Sequence, residues 1–321
     1  MNAQLITDCF GRTVLDPMVQ DLFVQLATQN RPQLPSDDKF AYHDWVLVRR
    51  KGVELGFADS QYHTAAPRPK WRHGQLMLTQ AYFYAGFDEV RPFKGDLPYG
   101  LQFSDDRNRA RQKLMQFEAS RHSYLTDTWD VDGWRLQVQY TDTQPQRIDR
   151  MACRQLAAPI PVRHHVVWPA IANVVANFGE AVDAAPFVAL WGGHVAAPNI
   201  KEAREDGSID LLDSFGATLN FAAEGVPVPL FQSITLHRNR DEDSVGWQAP
   251  LPLNLDFEDS PETLFAKMQQ APVAQEDAAL TGYAVWEFPA CTLHVLYSNV
   301  DNRLLRIRLI APGIWRPMAG D

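Results

Sequence analysis

Apolar positions in this chain follow two spacings, and the spacings change in the same order twice. A helix is predicted at 15–29, where apolar residues recur every three or four positions after an Asp-Pro start. Strands are then predicted at 45–48, 53–57 and 76–84, where apolar residues alternate with polar ones or form short runs. Helices followed by consecutive strands indicate an α+β fold with antiparallel meander sheets.

The same order continues to the end of the chain. A helix is predicted at 106–115, with Asp105 as a possible N-cap, and strands follow at 128–129, 134–140 and 147–151. In the second half, helices are predicted at 168–178 and 261–268, and strands at 216–222, 230–237, 286–288, 292–297 and 304–309. Each half is therefore expected to pack helices against antiparallel meander sheets.

One short motif indicates internal duplication. Residues 97–105 read LPYGLQFSD and residues 251–259 read LPLNLDFED, so the copies start 154 positions apart. Each copy is followed at the same spacing by a lysine, Lys113 or Lys267. We expect two homologous halves, at 1–153 and 166–321, joined by a proline-containing linker at 154–165.

Composition indicates a folded protein in a reducing compartment. The 321 residues suit two domains, with 45% hydrophobic and 21% charged residues. No apolar run approaches the roughly 20 residues that span a bilayer, and the first residues lack the features of a secretory signal. Cys9, Cys153 and Cys291 fit neither a disulfide framework nor a zinc site. These features predict a cytoplasmic protein.

The net charge of −9 arises from the second half of the chain. Residues 1–153 carry 19 acidic and 19 basic side chains, whereas residues 154–321 carry 20 acidic and 11 basic ones. An acidic half repels nucleic acid and anionic membranes and attracts a basic partner, although acidic surfaces also serve solubility. The expected partner is therefore a protein, and neither nucleic acid nor a membrane.

No motif for catalysis, cofactor binding or metal binding is found in the sequence. The Gly-x-Ser-x-Gly turn and the glycine-rich phosphate loops are both missing from it. The adjacent residues His164 and His165 point to opposite sides of an extended chain, so they do not readily share one ion. The sequence thus predicts no catalytic residue, no cofactor and no metal.

Two surfaces are candidates for binding a protein. Asp241, Glu242 and Asp243 form a turn in the acidic half, for which a solvated loop is the alternative interpretation. Tyr82 and Tyr84 lie two positions apart in a run of three aromatic residues, so at least one ring of the run faces away from the core. Exposed aromatic side chains are typical of protein interfaces.

A basic loop offers a different interpretation for the first half. Trp71 lies among Arg68, Lys70, Arg72 and His73, and an aromatic ring with basic neighbours suits single-stranded nucleic acid. The half as a whole carries no net charge, so this loop does not change the expected partner class.

The pattern of each half resembles a known module. The order of helix, tryptophan, alternating strand and turn is similar to the helix-plus-sheet module of the beta-lactamase inhibitory protein family and of the small lipoprotein of the outer-membrane assembly machine. The residues that carry the resemblance are Leu101, Phe103, Leu114, Trp129, Leu136, Val138, Tyr140 and Ile148, and then Leu255, Phe257, Met268, Trp286, Leu293, Val295, Tyr297 and Leu305. The chain departs from both proteins, because it lacks a lipobox cysteine and a disulfide pattern. The resemblance implies tandem modules with a concave sheet surface that grips a protein.

These expectations combine into one functional hypothesis. The chain is expected to be a non-enzymatic cytoplasmic immunity protein that neutralises an interbacterial toxin, such as a type VI secretion effector, by occluding its active site. Acidic side chains of the second half would assist if the toxin is a basic nuclease. Two alternatives stay open, namely an enzyme with a dispersed site between the halves and a scaffold protein of a secretion system.

Overall fold

The computed structural model describes residues 2–68, 70–117, 119–131, 133–163, 165–222 and 228–316. Within these ranges the chain forms eight α-helices and fourteen strands, and the strands are arranged in two seven-stranded antiparallel sheets. This confirms the α+β class. The chain divides into two compact units, Met1–Ala158 (unit 1) and Pro159–Asp321 (unit 2). No helix in the described part of the chain has the length and apolar character needed to span a membrane.

Unit 1 contains four helices and seven strands. The helices are α1 Ala3–Thr7, α2 Pro17–Gln25, α3 Ser60–His63 and α4 Arg107–Lys113. The strands are β1 His43–Val48, β2 Val53–Asp59, β3 Leu76–Tyr84, β4 Ala119–His122, β5 Thr126–Val131, β6 Trp134–Tyr140 and β7 Ile148–Gln155. They are arranged in the order β1-β2-β3-β7-β6-β5-β4.

Unit 2 also contains four helices and seven strands. Its helices are α5 Ile171–Val175, α6 Ala185–Leu190, α7 Ala197–Asp206 and α8 Pro261–Met268. Its strands are β8 Ser208–Leu211, β9 Ala217–Ala222, β10 Leu230–His237, β11 Ala274–Asp277, β12 Thr281–Glu287, β13 Thr292–Ser298 and β14 Arg303–Ile310. Read from β8, the order is β8-β9-β10-β14-β13-β12-β11, the same as in unit 1.

Each sheet consists of a three-stranded and a four-stranded meander. The two meanders join where the third strand pairs with the seventh, β3 with β7 in unit 1 and β10 with β14 in unit 2. The predicted meanders are therefore present, and in each unit both belong to one continuous sheet. The division between the units falls within residues 154–165, although β7 extends to Gln155.

Alternate residues of each sheet contribute to an apolar core. In unit 1, buried strand residues such as Leu55, Phe83 and Val138 form one cluster with Phe23 of α2 and Leu114 after α4. Trp129 and Trp286, which recur in the sequence, are both buried in the core of their own unit. Because strand side chains alternate between faces, the intervening residues form a second, largely polar face on each sheet.

Local sequence features explain the starts of the helices. The Asp16 carboxylate accepts the Met18 amide at 2.9 Å, and Ser260 caps α8 in the same way, as predicted. The predicted cap of α4 is one residue off, because Asp106 and not Asp105 accepts the Arg109 amide. The Asp105 carboxylate instead accepts a hydrogen bond from the Gln102 amide in the loop that precedes the helix.

The repeated motif forms the same ionic bridge in both units, which we call the Asp–Lys bridge. In unit 1, Lys113 Nζ lies 2.6 Å from Asp105 Oδ2 and donates to the Gly100 carbonyl at 2.7 Å. The same Asp105 oxygen accepts the Gln102 amide at 2.8 Å. A loop, a helix and a buried carboxylate are thereby held together.

Unit 2 contains the corresponding set of bonds. Lys267 Nζ lies 2.7 Å from Asp259 Oδ2 and donates to the Asn254 carbonyl at 2.8 Å, while the Asp256 amide donates to the same carboxylate. The residue after the proline is left-handed in both loops, with φ of 55° at Tyr99 and 57° at Leu253. The motif therefore has a structural role in both units.

Parts of unit 2 differ from the prediction. The helix expected at 168–178 is a short helix from Ile171 to Val175, and helices α6 and α7 were not predicted. The chain there is rich in alanine and interrupted by proline, so it lacks the long apolar period by which helices are recognised. The short edge strands β4, β8 and β11 were also not predicted.

A tight approach of backbone segments fixes the first hairpin of each sheet. Gly52 has φ of 65° and Gly216 has φ of 69°, a region that favours glycine. A Cβ atom at Gly52 would lie 2.2 Å from the Arg91 carbonyl oxygen, and one at Gly216 would lie 2.1 Å from the Gly246 carbonyl carbon. Glycine is required at both positions.

We expect Gly52→Ala to lower the free energy of unfolding by roughly 3 kcal/mol or more, because left-handed strain adds to a backbone clash. Gly100→Ala is the matched control, since Gly100 has φ of 67° and a Cβ atom there would meet no other atom within 4 Å. It should lose only about 1–2 kcal/mol. Urea denaturation of both variants measures the difference, and equal losses would contradict the clash.

We expect Lys113→Met to destabilise the protein by about 1–3 kcal/mol, because Asp105 loses its ammonium partner while it stays buried. Arg109→Met on the exposed side of the same helix removes the same charge and should change stability by about 0.5 kcal/mol or less. Chemical denaturation of the two variants compares them. Similar values would show that the Asp–Lys bridge contributes nothing beyond surface charge.

Candidate functional site

The residues predicted to bind a partner lie on, or next to, matching positions of the two sheets. On the polar face of unit 1, Tyr84 of β3 is paired with Arg150 of β7. In unit 2, His237 of β10 is paired with Arg306 of β14, at the same junction of the two meanders. Tyr82 and Tyr84 belong to the first junction, and the turn that begins at Asp241 contacts the second.

The first junction carries a surface of aromatic, amide and guanidinium groups. We call it the Tyr82 surface, and it comprises Glu54, Gln80, Tyr82, Tyr84, Gln139 and Arg150. The Tyr82 hydroxyl donates to Gln80 Oε1 at 2.9 Å, and Arg150 donates to Gln139. The Arg150 guanidinium lies 5.8 Å from the centre of the Tyr82 ring, close enough for a cation–π contact.

The two tyrosines of this surface differ in exposure. Tyr82 is half-buried, whereas Tyr84 is only 7% exposed and Phe83 between them points into the core. The expectation that at least one ring of the run faces away from the core is met by Tyr82, whereas the Tyr84 ring is buried. The Tyr84 ring supports Tyr82 from the side, with ring centroids 6.5 Å apart and planes at 14°.

Tyr84 is held as a hydrogen-bond donor. Its hydroxyl donates to Glu54 Oε2 at 2.5 Å. Burial, followed by the hydrogen bond to the Glu54 carboxylate, raises the pKa of Tyr84 far above its ordinary value. The hydroxyl thus stays protonated, and the surface is fixed before any partner arrives.

The second junction carries an ionic cluster, which we call the His237 cluster and which comprises Thr218, His237, Asp241, Glu242 and Arg306. His237 Nδ1 lies 2.8 Å from Asp241 Oδ2, and Arg306 Nε donates to the same oxygen at 2.6 Å. Burial opposes ionisation of Asp241, but the hydrogen bonds from His237 and Arg306 outweigh it and lower the pKa of that carboxyl group.

The connectivity of the His237 cluster is that of a hydroxyl–imidazole–carboxylate relay. Thr218 Oγ1 lies 3.2 Å from His237 Nε2, on the opposite side of the ring from Asp241. The ring is only 2% exposed, however, and Arg306 neutralises the carboxylate that would have to stabilise a protonated imidazole. This geometry serves to anchor the loop rather than to activate Thr218.

The anchored loop has an unusual backbone. Arg240, Glu242 and Asp243 have positive φ angles of 71°, 51° and 59° although none of them is glycine. Such conformations cost on the order of 1–3 kcal/mol each and persist where the surroundings impose them. The bonds from Arg306 to Asp241 and to Glu242 impose the conformation here.

The loop is not an uncompensated acidic patch. Arg306 Nη2 lies 2.7 Å from Glu242 Oε1, and Arg303 Nη2 lies 2.8 Å from Glu258 Oε2. Glu242 is still 49% exposed and Glu258 is equally accessible. The acidic excess of the second half therefore does not make this turn strongly negative. Its charge alone is a weak reason to expect that it binds a basic partner.

A buried ionic cluster in unit 1 was not predicted from the sequence. Asp127 of β5 is completely buried and receives hydrogen bonds from Arg111 Nε at 2.7 Å and Arg107 Nη2 at 2.6 Å. His122 Nδ1 lies 2.9 Å from the same carboxylate, and the Tyr140 hydroxyl donates to it at 3.2 Å. Four side chains from α4, β4 and β6 converge on one acid.

Unit 2 has apolar residues at two positions of this cluster. By the matching helix starts and strand registers, Arg111 corresponds to Phe265 and Asp127 to Ala284. Phe265 packs edge-on against Tyr297, the counterpart of Tyr140. The Tyr297 hydroxyl donates to Asp277 Oδ1 at 2.9 Å, so the tyrosine bonds to an acid in both units although the position of Asp127 is apolar in unit 2.

The strongly perturbed groups are shifted away from reactive states. Burial of Asp127 opposes ionisation, but hydrogen bonds from Arg111, His122 and Arg107 hold its pKa well below the usual range, so it is a poor base. Burial raises the pKa of the Cys153 thiol, which disfavours the nucleophilic thiolate. These shifts are typical of structural groups.

We expect Asp127→Asn to lower the free energy of unfolding by about 1–3 kcal/mol at neutral pH, because the guanidinium groups of Arg107 and Arg111, which are 18% and 39% exposed, lose a buried counter-ion. A lowered pKa in the folded state means that this stabilisation is present above the unfolded value of about 3.9 and is lost below it. The wild-type protein should thus lose stability on acidification below about pH 4, and Asp127→Asn should lose less.

Asp106→Asn is the control for this charge change, because asparagine caps a helix about as well as aspartate does. Urea denaturation at neutral and acid pH compares the variants. An Asp127→Asn protein with the stability and the acid response of the Asp106→Asn protein would contradict the structural role of the cluster.

Other candidate sites do not gather reactive groups. Among the described residues, no three His, Cys, Asp or Glu side chains are placed to hold a metal ion. His165 is described, whereas His164 lies outside the described residues. Cys9, Cys153 and Cys291 are free thiols.

The basic loop around Trp71 does not present a free ring for base stacking. Trp71 is buried, and its edge contacts with Tyr42 and Tyr62 place it in an aromatic cluster. The Arg68 guanidinium lies 4.4 Å from the centre of its ring and covers one face. The loop is therefore a packed structural element.

Two surface pockets of unit 1 are small. One of about 280 Å³ is bordered by the motif loop, and one of about 220 Å³ lies between α2 and the first hairpin. Sites for small molecules usually have about 300–1,000 Å³.

No family model matches the chain, and comparisons with curated proteins and with solved structures likewise return no match.

Proposed function

We propose that the chain is a non-enzymatic binding protein built from two copies of one ancestral α+β module. The shared strand order, the Asp–Lys bridge in both units and the paired glycines Gly52 and Gly216 support the duplication. Each of these features combines a recurring sequence position with a recurring geometry. A shared ancestor explains both, whereas convergence would have to produce each one separately.

The Tyr82 surface is the observation that carries the proposed binding role. It combines a half-buried tyrosine, two glutamines and an arginine, and tyrosine and arginine are enriched among the residues that dominate binding energy. Hydrogen bonds, ring stacking and the Arg150 contact already fix these side chains. A partner that binds there loses little side-chain entropy, because the ordering has taken place during folding.

A protein partner fits this surface better than a small molecule does. The surface is spread over strands β2, β3, β6 and β7, and its residues line neither of the two pockets described above. We propose that the partner is an interbacterial toxin and that the chain acts as its immunity protein in the cytoplasm. Binding through the Tyr82 surface would neutralise the toxin by covering its active site.

The loop at Asp241–Asp243 is the proposed second contact. Its backbone is held in a strained conformation by Arg306, and Glu242 projects from it with half of its side chain exposed. Strained loops held by their surroundings are frequent at binding sites. The loop is anchored at the junction of unit 2 that matches the junction carrying the Tyr82 surface in unit 1.

We expect Tyr82→Ala to weaken binding of the cognate toxin by roughly 30-fold, the effect of losing an interface hot spot of about 2 kcal/mol. Tyr124→Ala is the matched control, because Tyr124 is an exposed tyrosine of the same unit outside the Tyr82 surface. The test is co-expression with the toxin encoded beside the gene, followed by calorimetry on the purified pair. Failure of the wild-type chain to protect cells from that toxin would refute the proposed function.

A further inference from the structure

The turn between β1 and β2 carries three consecutive cations beside a pocket. Arg49, Arg50 and Lys51, which we call the basic turn, are all exposed. They border the pocket of about 220 Å³, whose other lining residues are Leu26, Ala27, Thr28, Leu47 and Val48. Leu26 and Val48 are buried and give the pocket an apolar floor.

The basic turn has no counter-ion within the described part of the chain. None of its three side chains forms an ion pair or a side-chain hydrogen bond there. The carboxylates of Asp88 and Glu89 lie on the loop whose Arg91 amide donates to the Arg49 carbonyl, yet neither pairs with the turn. Three like charges at adjacent positions repel one another, so the turn is electrostatically unsatisfied.

The fold does not require cations at this turn. Gly52 and Gly216 end the equivalent turns with the same left-handed backbone, and the residues before Gly216 are Asp213, Ser214 and Phe215. The connection in unit 2 is one residue longer, since Leu211 pairs with Ala217 whereas Val48 pairs with Val53, and it contains an acid and no cation. The positive charge of the basic turn is a property of unit 1 that folding does not explain.

The size and lining of the pocket indicate what would fill it. Its volume is below that of typical small-molecule sites, but interface hot spots are commonly single side chains seated in small desolvated pockets. An apolar floor selects an apolar side chain, and the cationic rim selects carboxylates on either side of it. Arg31, which donates to the Thr28 carbonyl at 3.2 Å, adds a further cation next to the pocket.

We infer that the basic turn binds an acidic segment of the partner protein and that the pocket receives one apolar side chain of that segment. The inference rests on the proposed role as a protein-binding module and names the chemistry of one contact. The segment has carboxylates flanking a leucine-like residue. This contact is distinct from the Tyr82 surface, so each can be tested without the other.

The probe is a fluorescein-labelled heptapeptide with a central leucine and three acidic residues on each side, measured by fluorescence anisotropy with the full-length chain. We expect the triple variant Arg49→Glu, Arg50→Glu and Lys51→Glu to bind the peptide at least about tenfold more weakly, since three charge pairs are lost. Replacing the central leucine by serine should also weaken binding. Raising the salt concentration should weaken wild-type binding.

A control of equal net charge is Lys39→Glu, Lys70→Glu and Arg109→Glu, three exposed cations outside the pocket. It should keep wild-type affinity to within about threefold, with unchanged thermal unfolding in both triple variants. Equal weakening in the two triple variants, or no binding by the wild-type chain, overturns the inference. If the chain fails to bind the peptide but still neutralises the neighbouring toxin, the inference is wrong and the proposed function stands. If it binds the peptide but does not neutralise the toxin, the proposed function is wrong and the acidic-segment contact stands.

Discussion

The Asp–Lys bridge is the constraint on which both sheets depend. In each unit the fourth strand does not pair with the third. The chain crosses to the far edge of the sheet, where the fourth strand lies, and the seventh strand then pairs with the third. The repeated motif lies in this connection, and Lys113 or Lys267 ties its loop to the helix that leads into the second meander. A buried carboxylate held by one ammonium group and one amide tolerates little variation, which explains why both units have the same residues at these positions.

Around that constraint the two units differ in chemistry while they share one topology. Asp127 with its arginines corresponds to Ala284 beside Phe265, and Tyr84 opposite Arg150 corresponds to His237 opposite Arg306. Positions that differ under the same backbone are those the fold leaves free, so they are where a binding function can be encoded.

Regular strands and their turns could be predicted from the sequence because their signals are local. Strand β3 and helix α8 have the expected limits, and the pattern of Trp129 and Trp286 marks two cores. The Asp127 cluster could not be predicted, since its partners come from α4, β4 and β6 and meet only in the folded sheet. The burial of Tyr84 escaped prediction for a related reason, because a partner on β2 covers a position that alternation alone leaves open.

The shared strand order has a consequence for how the chain avoids mispairing with itself. The strand that closes each sheet, β7 or β14, must find β3 or β10 and reject the equivalent strand of the other unit. Two tandem domains with interchangeable strands are prone to exchange them during synthesis. Here the contacts made by the closing strands differ in kind, because Arg150 of β7 lies against the Tyr82 ring in one sheet and Arg306 of β14 donates to the Asp241 carboxylate in the other. A strand paired with the wrong unit would bury polar groups without their partners. The difference between the units therefore also favours the correct strand pairing during folding.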